Sequence, residues 1–322
     1  MSSKPLRVVF FGSPDFALPI LDALARRHDV VLVVSQPDRP AGRGLSLRVP
    51  PVAARARELG LELEQPRGVR SEHFLARLAS VGADVGVTAA YGRILPPALL
   101  DIPRHGVLNV HASLLPKFRG AAPVQWALIA GELETGITVM QTEEGLDTGP
   151  VRLQRRTAIA PEEDAVSLMA RLALLGAETL VEALDLLAAG TLPSTAQDDA
   201  LATHAPLLTS DDGRVRWSDS TSAVLARHRG VAAWPGSWFE YSGTRVKVLE
   251  MSAAPGRTVD GGEVTTPAGA PGTVTTAESD GLAVATGDGV TVLQRVKPAG
   301  SRAMSAHEWS LGRGPKVGES LA

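Results

Sequence analysis

Two polar side chains near the end of an apolar segment are the first candidates for chemistry. Asn109 and His111 lie in LNVHASLLPKFRG, residues 108–120, which begins like a buried strand and ends in a Pro- and Gly-containing turn. Side chains two positions apart on a strand project from the same face. There the amide of Asn109 could donate a hydrogen bond to a developing oxyanion, and the imidazole of His111 could carry a proton.

A carboxylate in a glycine-flanked segment is the third candidate. Asp147 lies in EEGLDTGP, where Gly145 and Gly149 favour an adaptable loop and Pro150 stiffens its exit. A carboxylate beside His111 would orient the imidazole. A single His near a strand end is commonly structural, so the hypothesis of a site depends on all three side chains. The sequence leaves open whether Asp147 is close to the other two.

The missing reactive groups narrow the chemistry of such a site. The chain has no Cys and no Ser in a G-x-S-x-G motif, which argues against a covalent acyl-enzyme. It has no HExxH motif and no clustered His, which argues against a catalytic metal. An amide, an imidazole and a carboxylate suit direct acyl transfer, in which an amine is itself the nucleophile.

The elements that must position these residues form an alternating pattern. Continuous apolar runs at residues 6–11, 29–35, 83–92 and 106–114 alternate with helical segments. This pattern predicts a Rossmann-like α/β domain with a mostly parallel sheet over residues 1–190, in which ligands bind beyond the carboxyl ends of the strands. The turn FGSPD has only one Gly and lacks the G-x-G-x-x-G pattern, so we predict a helix start capped by Ser13 there instead of a dinucleotide site.

The rest of the chain follows a different pattern. Residues 191–208 lack periodicity and predict a linker. Residues 209–322 contain short runs such as SWFEY and VTVLQRV between Gly-containing turns, which predict a small antiparallel barrel. This part carries twelve Lys and Arg and twelve Asp and Glu, so charge alone does not identify a nucleic-acid-binding domain.

Composition is ordinary for a globular protein with two domains: 322 residues, 44% hydrophobic and 21% charged. A net charge of −3 argues against a surface covered in positive charge for nucleic acid, although a local basic patch remains compatible with it. The first apolar run stops at residue 12, too short for a signal peptide, and no apolar window approaches a membrane span. We therefore expect a cytoplasmic protein without a membrane segment.

The segment QPDRPAGRG, residues 36–44, is a long polar loop that carries Arg39 and Arg43. Its composition alone favours a solvated surface loop. Loops this long inside compact domains are often functional, however, and arginines can bind phosphate or stack on bases.

Together these motifs resemble the methionyl-tRNA formyltransferase family over nearly the whole chain. The segments that carry the resemblance are VVFFGSPDFA, QPDRPAGRG, AAYGRILP, LNVHASLLPKFRGAAPVQWA, TGITVMQTEEGLDTGP and ATGDGVTVLQRVKPAGSRAMSA. The resemblance implies a formyltransferase catalytic domain, an OB-like C-terminal domain that holds tRNA, 10-formyltetrahydrofolate as co-substrate, no metal, and methionyl initiator tRNA as the partner of a monomer.

The same resemblance implies roles for individual residues. Asn109, His111 and Asp147 match the catalytic positions. Arg39 and Arg43 match a loop that contacts tRNA, although Leu45-Ser46-Leu47 stands where some relatives carry Lys, so we expect weaker tRNA binding. The positions that match a folate-contacting segment are Ser113, Leu114, Leu115 and Pro116.

The acceptor is less firmly indicated than the reaction. The N-x-H, SLLP, RGAAP and LDTG motifs are typical of folate-dependent formyl transfer, which other enzymes carry out on sugar or nucleotide amines. A hydrolase of 10-formyltetrahydrofolate would use the same residues. A non-catalytic RNA-binding protein is the alternative from a different class, and the intact set of Asn109, His111 and Asp147 argues against it.

Overall fold

The computed structural model describes residues 4–41, 46–254 and 269–321, which form two compact units. The first unit runs to Pro123 and continues with Glu134–Ile159 and Ser167–Pro206. The second consists of Val124–Leu133, Ala160–Val166 and the chain from Leu207 onward. In the described part of the chain, every helix is too short or too polar to cross a membrane.

The chain before Leu207 contains most of the helices and strands. In chain order, those described are β1 (Arg7–Gly12), α1 (Leu18–Arg27), β2 (Asp29–Val34), β3 (Arg39–Ala41), β4 (Ser46–Arg48), α2 (Pro51–Glu58), β5 (Leu63–Glu64), α3 (Glu72–Ser80), β6 (Val85–Ala89), α4 (Pro97–Leu100), β7 (Val107–His111), β8 (Arg119–Gly120), α5 (Pro123–Ile129), β9 (Glu134–Gln141), β10 (Val151–Ala158), α6 (Ala165–Ala188) and β11 (His204–Ala205).

A seven-stranded sheet of order β10-β9-β7-β6-β1-β2-β5 organises the first unit. The strands β7, β6, β1, β2 and β5 are parallel, whereas β9 runs antiparallel to both β7 and β10. Residues 8–11 of the interior strand β1 are fully buried because helices cover both faces, as its continuous apolar sequence requires. The predicted mostly parallel α/β fold is confirmed.

The turn after β1 differs from its prediction. A short 3-10 turn, Asp15–Ala17, precedes α1, whose N-cap Ala17 makes no side-chain cap bond. Ser13 instead accepts a hydrogen bond from the Gln36 backbone at 3.2 Å and donates one to the Tyr91 carbonyl at 3.4 Å. The prediction of a capped helix start is therefore wrong about Ser13, which ties together the segments that follow β1, β2 and β6.

The second unit contains a six-stranded antiparallel sheet with an aromatic core. Trp217 and Phe239 pack with ring centroids 5.7 Å apart, and Trp309 packs on Phe239 at 6.1 Å. This sheet confirms the predicted antiparallel second domain. Its described elements are α7 (Thr221–Gly230), β12 (Trp238–Tyr241), β13 (Thr244–Ala253), β14 (Val274–Glu278), β15 (Gly281–Ala285), β16 (Val290–Pro298), β17 (Met304–Ser305) and α8 (Ala306–Leu311).

Candidate active site

Strand β7 carries Asn109 and His111 to its carboxyl end, next to the β9–β10 hairpin. Met140 pairs with Asn109 on one side and with Val151 on the other. The loop that joins β9 to β10, residues 142–150, therefore begins beside Asn109. We call it the Asp147 loop. The antiparallel direction of β9, which the sequence did not indicate, brings the third candidate residue to the first two.

The carboxylate of Asp147 lies at the centre of the three side chains. Its Oδ1 accepts a hydrogen bond from Asn109 Nδ2 at 3.4 Å. Its Oδ2 accepts one from the Gly120 backbone N–H at 2.9 Å and lies 3.6 Å from His111 Nδ1. The side chains of His111 and Asp147 are 6% and 12% exposed, so their interaction takes place largely out of water.

The backbone of the Asp147 loop is strained at the residue that carries the carboxylate. Asp147 has φ +55°, in the left-handed region, which costs a non-glycine residue about 1–3 kcal/mol and persists only where surrounding contacts hold it. Two residues later, a Cβ on Gly149 would collide with the carbonyl oxygen of Gln141. Glycine is therefore required at 149 by the close approach of two backbone segments.

Among the described residues, His111 is anchored to the backbone through one ring nitrogen. Its Nε2 lies 2.9 Å from the carbonyl oxygen of Phe118, whose own φ is +60°. A carbonyl oxygen only accepts hydrogen bonds, so Nε2 must carry the proton in the neutral ring. That leaves Nδ1 as an acceptor when His111 is neutral and as a donor when it is charged, and Nδ1 is the nitrogen that faces Asp147.

The four residues that were predicted to contact folate, 113–116, come shortly after the end of β7. Ser113 is fully buried and its hydroxyl donates to the Lys117 carbonyl at 2.6 Å, so that hydroxyl is already engaged. Leu115 is also buried, whereas Leu114 and Pro116 are partly exposed. The Leu115–Pro116 peptide bond is cis.

Two side chains that the sequence did not single out hold this segment in place. Thr138 Oγ1 donates to the Ser113 carbonyl at 2.7 Å and accepts from the Leu115 N–H at 3.1 Å. Gln154 Nε2 donates to the Leu115 carbonyl at 2.8 Å. Both lie on the strands β9 and β10, so only knowledge of strand pairing would have found them.

The predicted tRNA loop is a hairpin at its base. Arg39 on β3 pairs in register with Arg48 on β4, and both side chains are exposed. Directly opposed like charges destabilise an antiparallel pair. A cavity of about 340 Å³ borders both arginines together with Gln36 and Gly92. Arg43 lies outside the described residues.

A polar cluster lies where β6 ends. Gln36 Nε2 donates to the Tyr91 carbonyl at 3.2 Å, and Gln36 Oε1 accepts from Arg93 Nε at 2.9 Å. Burial raises the pKa of the Tyr91 hydroxyl to about 12, with Arg93 acting in the opposite direction. These contacts fix the segment AAYGRILP, which the sequence had marked only by resemblance.

Comparison with known proteins identifies the family. The Formyl transferase model matches residues 6–184, and the Formyl transferase, C-terminal domain model matches residues 207–314. The methionyl-tRNA formyltransferase of Deinococcus radiodurans is 50% identical over 97% of this chain and 94% of its own length. That of Thermus thermophilus is 47% identical over 98% of this chain and 99% of its own length.

Solved structures with this fold include proteins with other names and other bound molecules. An N-formyltransferase from Helicobacter canadensis, in complex with folinic acid and dTDP-3-aminofucose, has a TM-score of 0.67 at 13% identity and covers 89% of this chain and 98% of its own. HypX from Aquifex aeolicus, in complex with tetrahydrofolic acid, has a TM-score of 0.63 at 18% identity and covers 95% of this chain and 47% of its own. At these identities the two structures share the fold alone. The close full-length relatives decide the matter, and the chain belongs to the methionyl-tRNA formyltransferase family.

Proposed function

We propose that this protein transfers the formyl group of 10-formyltetrahydrofolate to the α-amino group of methionyl initiator tRNA, for translation initiation. The observation that carries the proposal is the Asp147 carboxylate, which accepts a hydrogen bond from Asn109 and faces His111 Nδ1 in a chain of this family. This set contains an oxyanion donor, a proton carrier and an orienting carboxylate, the three groups that acyl transfer to an amine requires.

The folate donor supplies an activated formyl group on its N10 nitrogen. Asn109 Nδ2 stabilises the negative charge that develops on the formyl oxygen when the neutral amine attacks the formyl carbon. The bond from that carbon to N10 then breaks. The amine loses one proton and N10 gains one, so the transfer is balanced without an oxidant or an added base.

His111 and Asp147 move that proton. Since Nε2 is bonded to the Phe118 carbonyl, the chemistry of His111 is confined to Nδ1. The neutral ring accepts the proton of the attacking amine there, and the charged ring returns it to N10 or donates to the oxyanion. Asp147, 3.6 Å away, orients the ring and stabilises its charged form during this relay.

The Arg-bearing loop supplies the proposed contacts with tRNA. Arg39 and Arg43 bind the acceptor arm, with Arg43 the better candidate for its end. The exposed Arg39 and Arg48 lie side by side, so a phosphate between them would relieve their mutual repulsion. The second domain holds the rest of the tRNA. Since its part of the sequence carries no net charge, it does so through local contacts and not through an overall positive charge.

The donor is proposed to lie against residues 113–116. Since the Ser113 hydroxyl and the Leu115 side chain are buried, the partly exposed Leu114 and Pro116 are the side chains of this segment that can reach it. Ser113 and Leu115 then act by setting the backbone of the turn.

A sugar amine is the competing acceptor, and the comparisons favour tRNA. Structures of sugar N-formyltransferases share only the fold with this chain, at 12–20% identity. The methionyl-tRNA formyltransferases match it at 44–50% identity over nearly all of both chains. We propose that the protein acts as a monomer without a membrane, in the cytoplasm, where initiator tRNA is charged and used.

One experiment distinguishes these functions. Labelled 10-formyltetrahydrofolate is supplied with methionyl initiator tRNA, methionyl elongator tRNA, a sugar amine or water alone, and the labelled product is identified. We expect formylmethionyl initiator tRNA, with an Asn109→Ala variant about 100- to 1,000-fold slower in kcat. Release of formate without acceptor, preferential use of the sugar amine, or near-normal kcat in Asn109→Ala would refute the proposal.

A further inference from the structure

The segment that follows α6 within the first unit is bonded to the Asp147 loop through the side chain of Gln197. We infer that Gln197 is a positioning residue, which holds the backbone of the Asp147 loop so that the carboxylate faces Asn109 and His111. The inference rests on the proposed catalytic role of Asp147. It assigns a function to a residue in the segment that the sequence predicted to be only a linker.

Both the nitrogen and the oxygen of the Gln197 side-chain amide are hydrogen-bonded. Its Nε2 donates to the carbonyl of Asp147 at 2.8 Å and to that of Gly149 at 2.7 Å. Its Oε1 accepts from Arg119 Nε at 3.1 Å and from Arg119 Nη2 at 2.9 Å. An arginine only donates and a carbonyl only accepts, so the reversed orientation of the amide would break all four bonds.

Arg119 is a rigid base for this contact. It is 6% exposed, and its Nη2 also reaches Asp199 Oδ1 at 2.7 Å. The guanidinium donates from a fixed planar fork, so it can hold the Gln197 oxygen in one orientation. The Arg of the RGAAP motif is therefore directed towards the linker segment.

The same segment also holds the other backbone group that contacts Asp147. Strand β11 pairs in parallel with β8, which contains Gly120. Arg119 N–H donates to the Thr203 carbonyl at 2.8 Å, and Ala122 N–H donates to the Ala205 carbonyl at 3.1 Å. Because the Gly120 N–H binds Asp147 Oδ2, the segment around β11 fixes the carboxylate while Gln197 fixes the main chain that bears it.

The geometry of the catalytic residues makes this support necessary. Asp147 has an unfavourable φ of +55°, and its contacts with Asn109 and His111 are long, at 3.4 Å and 3.6 Å. A displacement of about 1 Å at a reacting group can cost about 100-fold in rate. Two strong bonds from Gln197 to the main chain on either side of Thr148 oppose such a displacement.

Gln197→Glu separates positioning from ordinary structural support. The glutamate keeps an acceptor for Arg119 but has no hydrogen for the carbonyls of Asp147 and Gly149, which it would repel. We expect kcat to fall about 10- to 100-fold while KM for the folate donor and for tRNA stays within about twofold. Gln197→Met, which is neutral, should likewise lower kcat without changing the KM values, so a result is obtained even if the charged variant folds poorly. Asp198→Asn, one residue away, whose side chain accepts from the Ala200 N–H, is the matched control with unchanged kcat.

A double-mutant cycle with Asp147→Asn tests whether the effect passes through Asp147. If Gln197 acts by positioning that carboxylate, adding Gln197→Met to Asp147→Asn should lower kcat by less than a further factor of about two. Suppose that Asp147→Asn alone is slow. The inference is then overturned if both Gln197 variants have wild-type kcat, or if the double variant loses the full additional factor in kcat that Gln197→Met costs alone. Normal kcat in Asp147→Asn would instead remove the proposed catalytic function on which the inference rests.

Discussion

The Phe118 carbonyl oxygen lies 2.9 Å from His111 Nε2, so this ring nitrogen is committed to the backbone. The turn that follows β7 thus selects the tautomer of the residue at the end of β7. It also leaves His111 Nδ1 as the only ring nitrogen for proton transfer. His111 therefore has one anchoring nitrogen, Nε2, and one nitrogen that faces Asp147, Nδ1.

Replacement of His111 by Gln should separate the two ring nitrogens. The amide nitrogen of Gln can occupy the place of Nε2 and donate to Phe118, but nothing replaces Nδ1. We expect kcat to fall about 100- to 1,000-fold, since proton transfer is lost, while the thermal midpoint changes little. Steady-state kinetics and thermal unfolding check the pair of results. A kcat near that of the wild type would mean that Nδ1 takes no part in the reaction.

Asp147→Asn and Asp147→Ala should differ in stability but not in chemistry. Asn tolerates the left-handed backbone and keeps an oxygen for the Gly120 N–H, whereas Ala does neither. Both variants should lose about 100-fold or more in kcat. Only Ala should also lower the thermal midpoint, by the equivalent of about 1–3 kcal/mol. Equal midpoints would show that the backbone at 147 is not strained.

Arginine substitutions in the loop around Arg43 should weaken the binding of tRNA but not that of the folate donor. Arg39→Ala and, more strongly, Arg43→Ala should raise KM for tRNA and leave KM for the folate donor unchanged. Each lost phosphate contact should also lower the slope of log binding constant against log salt by about 1. Arg26→Ala is the control, because Arg26 is in the last turn of α1, which leads into the amino end of β2, whereas Arg39 follows the carboxyl end of β2. Equal changes in both KM values would make the loop structural.

Tyr91→Phe should leave the protein as stable or more stable. The hydroxyl of Tyr91 is buried without a hydrogen-bond partner among the described residues, whereas its ring packs edge-on against Phe11 at 5.6 Å. An unpaired buried hydroxyl costs about 1–3 kcal/mol, and Phe keeps the ring contact without it. Thermal unfolding at pH 7 measures the change. A midpoint several degrees lower would reveal a partner for the hydroxyl.

His28 should make the first unit lose stability in mild acid. Burial lowers the pKa of His28 below 6.5, partly opposed by Asp185, and its Nδ1 already accepts the Leu6 N–H at 3.4 Å. The unfolded chain therefore takes up a proton first, so the free energy of unfolding falls as the pH drops through about 6.5 towards the lower folded-state value. His28→Asn keeps an acceptor for Leu6 but does not titrate.

The difference between wild type and His28→Asn isolates this group. The thermal midpoint of the wild type minus that of the variant should decrease from pH 7.5 to pH 5.5, because all other titrating groups are common to both. A constant difference over this range would show that His28 titrates alike in the folded and unfolded chains.

Local patterns in the sequence predicted the structural features that depend on which side chains are buried. The continuous apolar runs indicated the parallel sheet, and the spacing of Asn109 and His111 indicated two polar groups on one face of a strand. Both follow from periodicity within a few residues. The prediction for the turn after β1 was wrong because Ser13 is hydrogen-bonded to Gln36 and Tyr91, which are distant in the sequence.

Long-range pairing explains what the sequence could not indicate. The run that forms β9 resembles the parallel strands in composition, so nothing local revealed its direction or the approach of Asp147 to Asn109. The contact between Arg119 and Gln197 joins residues 78 positions apart. Only the fold brings such residues together, and neither flank of Gln197 has a recognisable period.

The pairing of β11 with β8 also sets a time at which the site can first exist. Ribosomes deliver the chain from its N-terminus, so Asn109, His111 and Asp147 emerge well before Thr203 and Ala205. A nascent chain that ends at residue 190 contains the whole parallel sheet but lacks the bonds to Arg119, Ala122 and the Asp147 loop. The geometry around Asp147 is therefore a late product of synthesis, completed only when the last segment of the first unit, which contains β11, has been made.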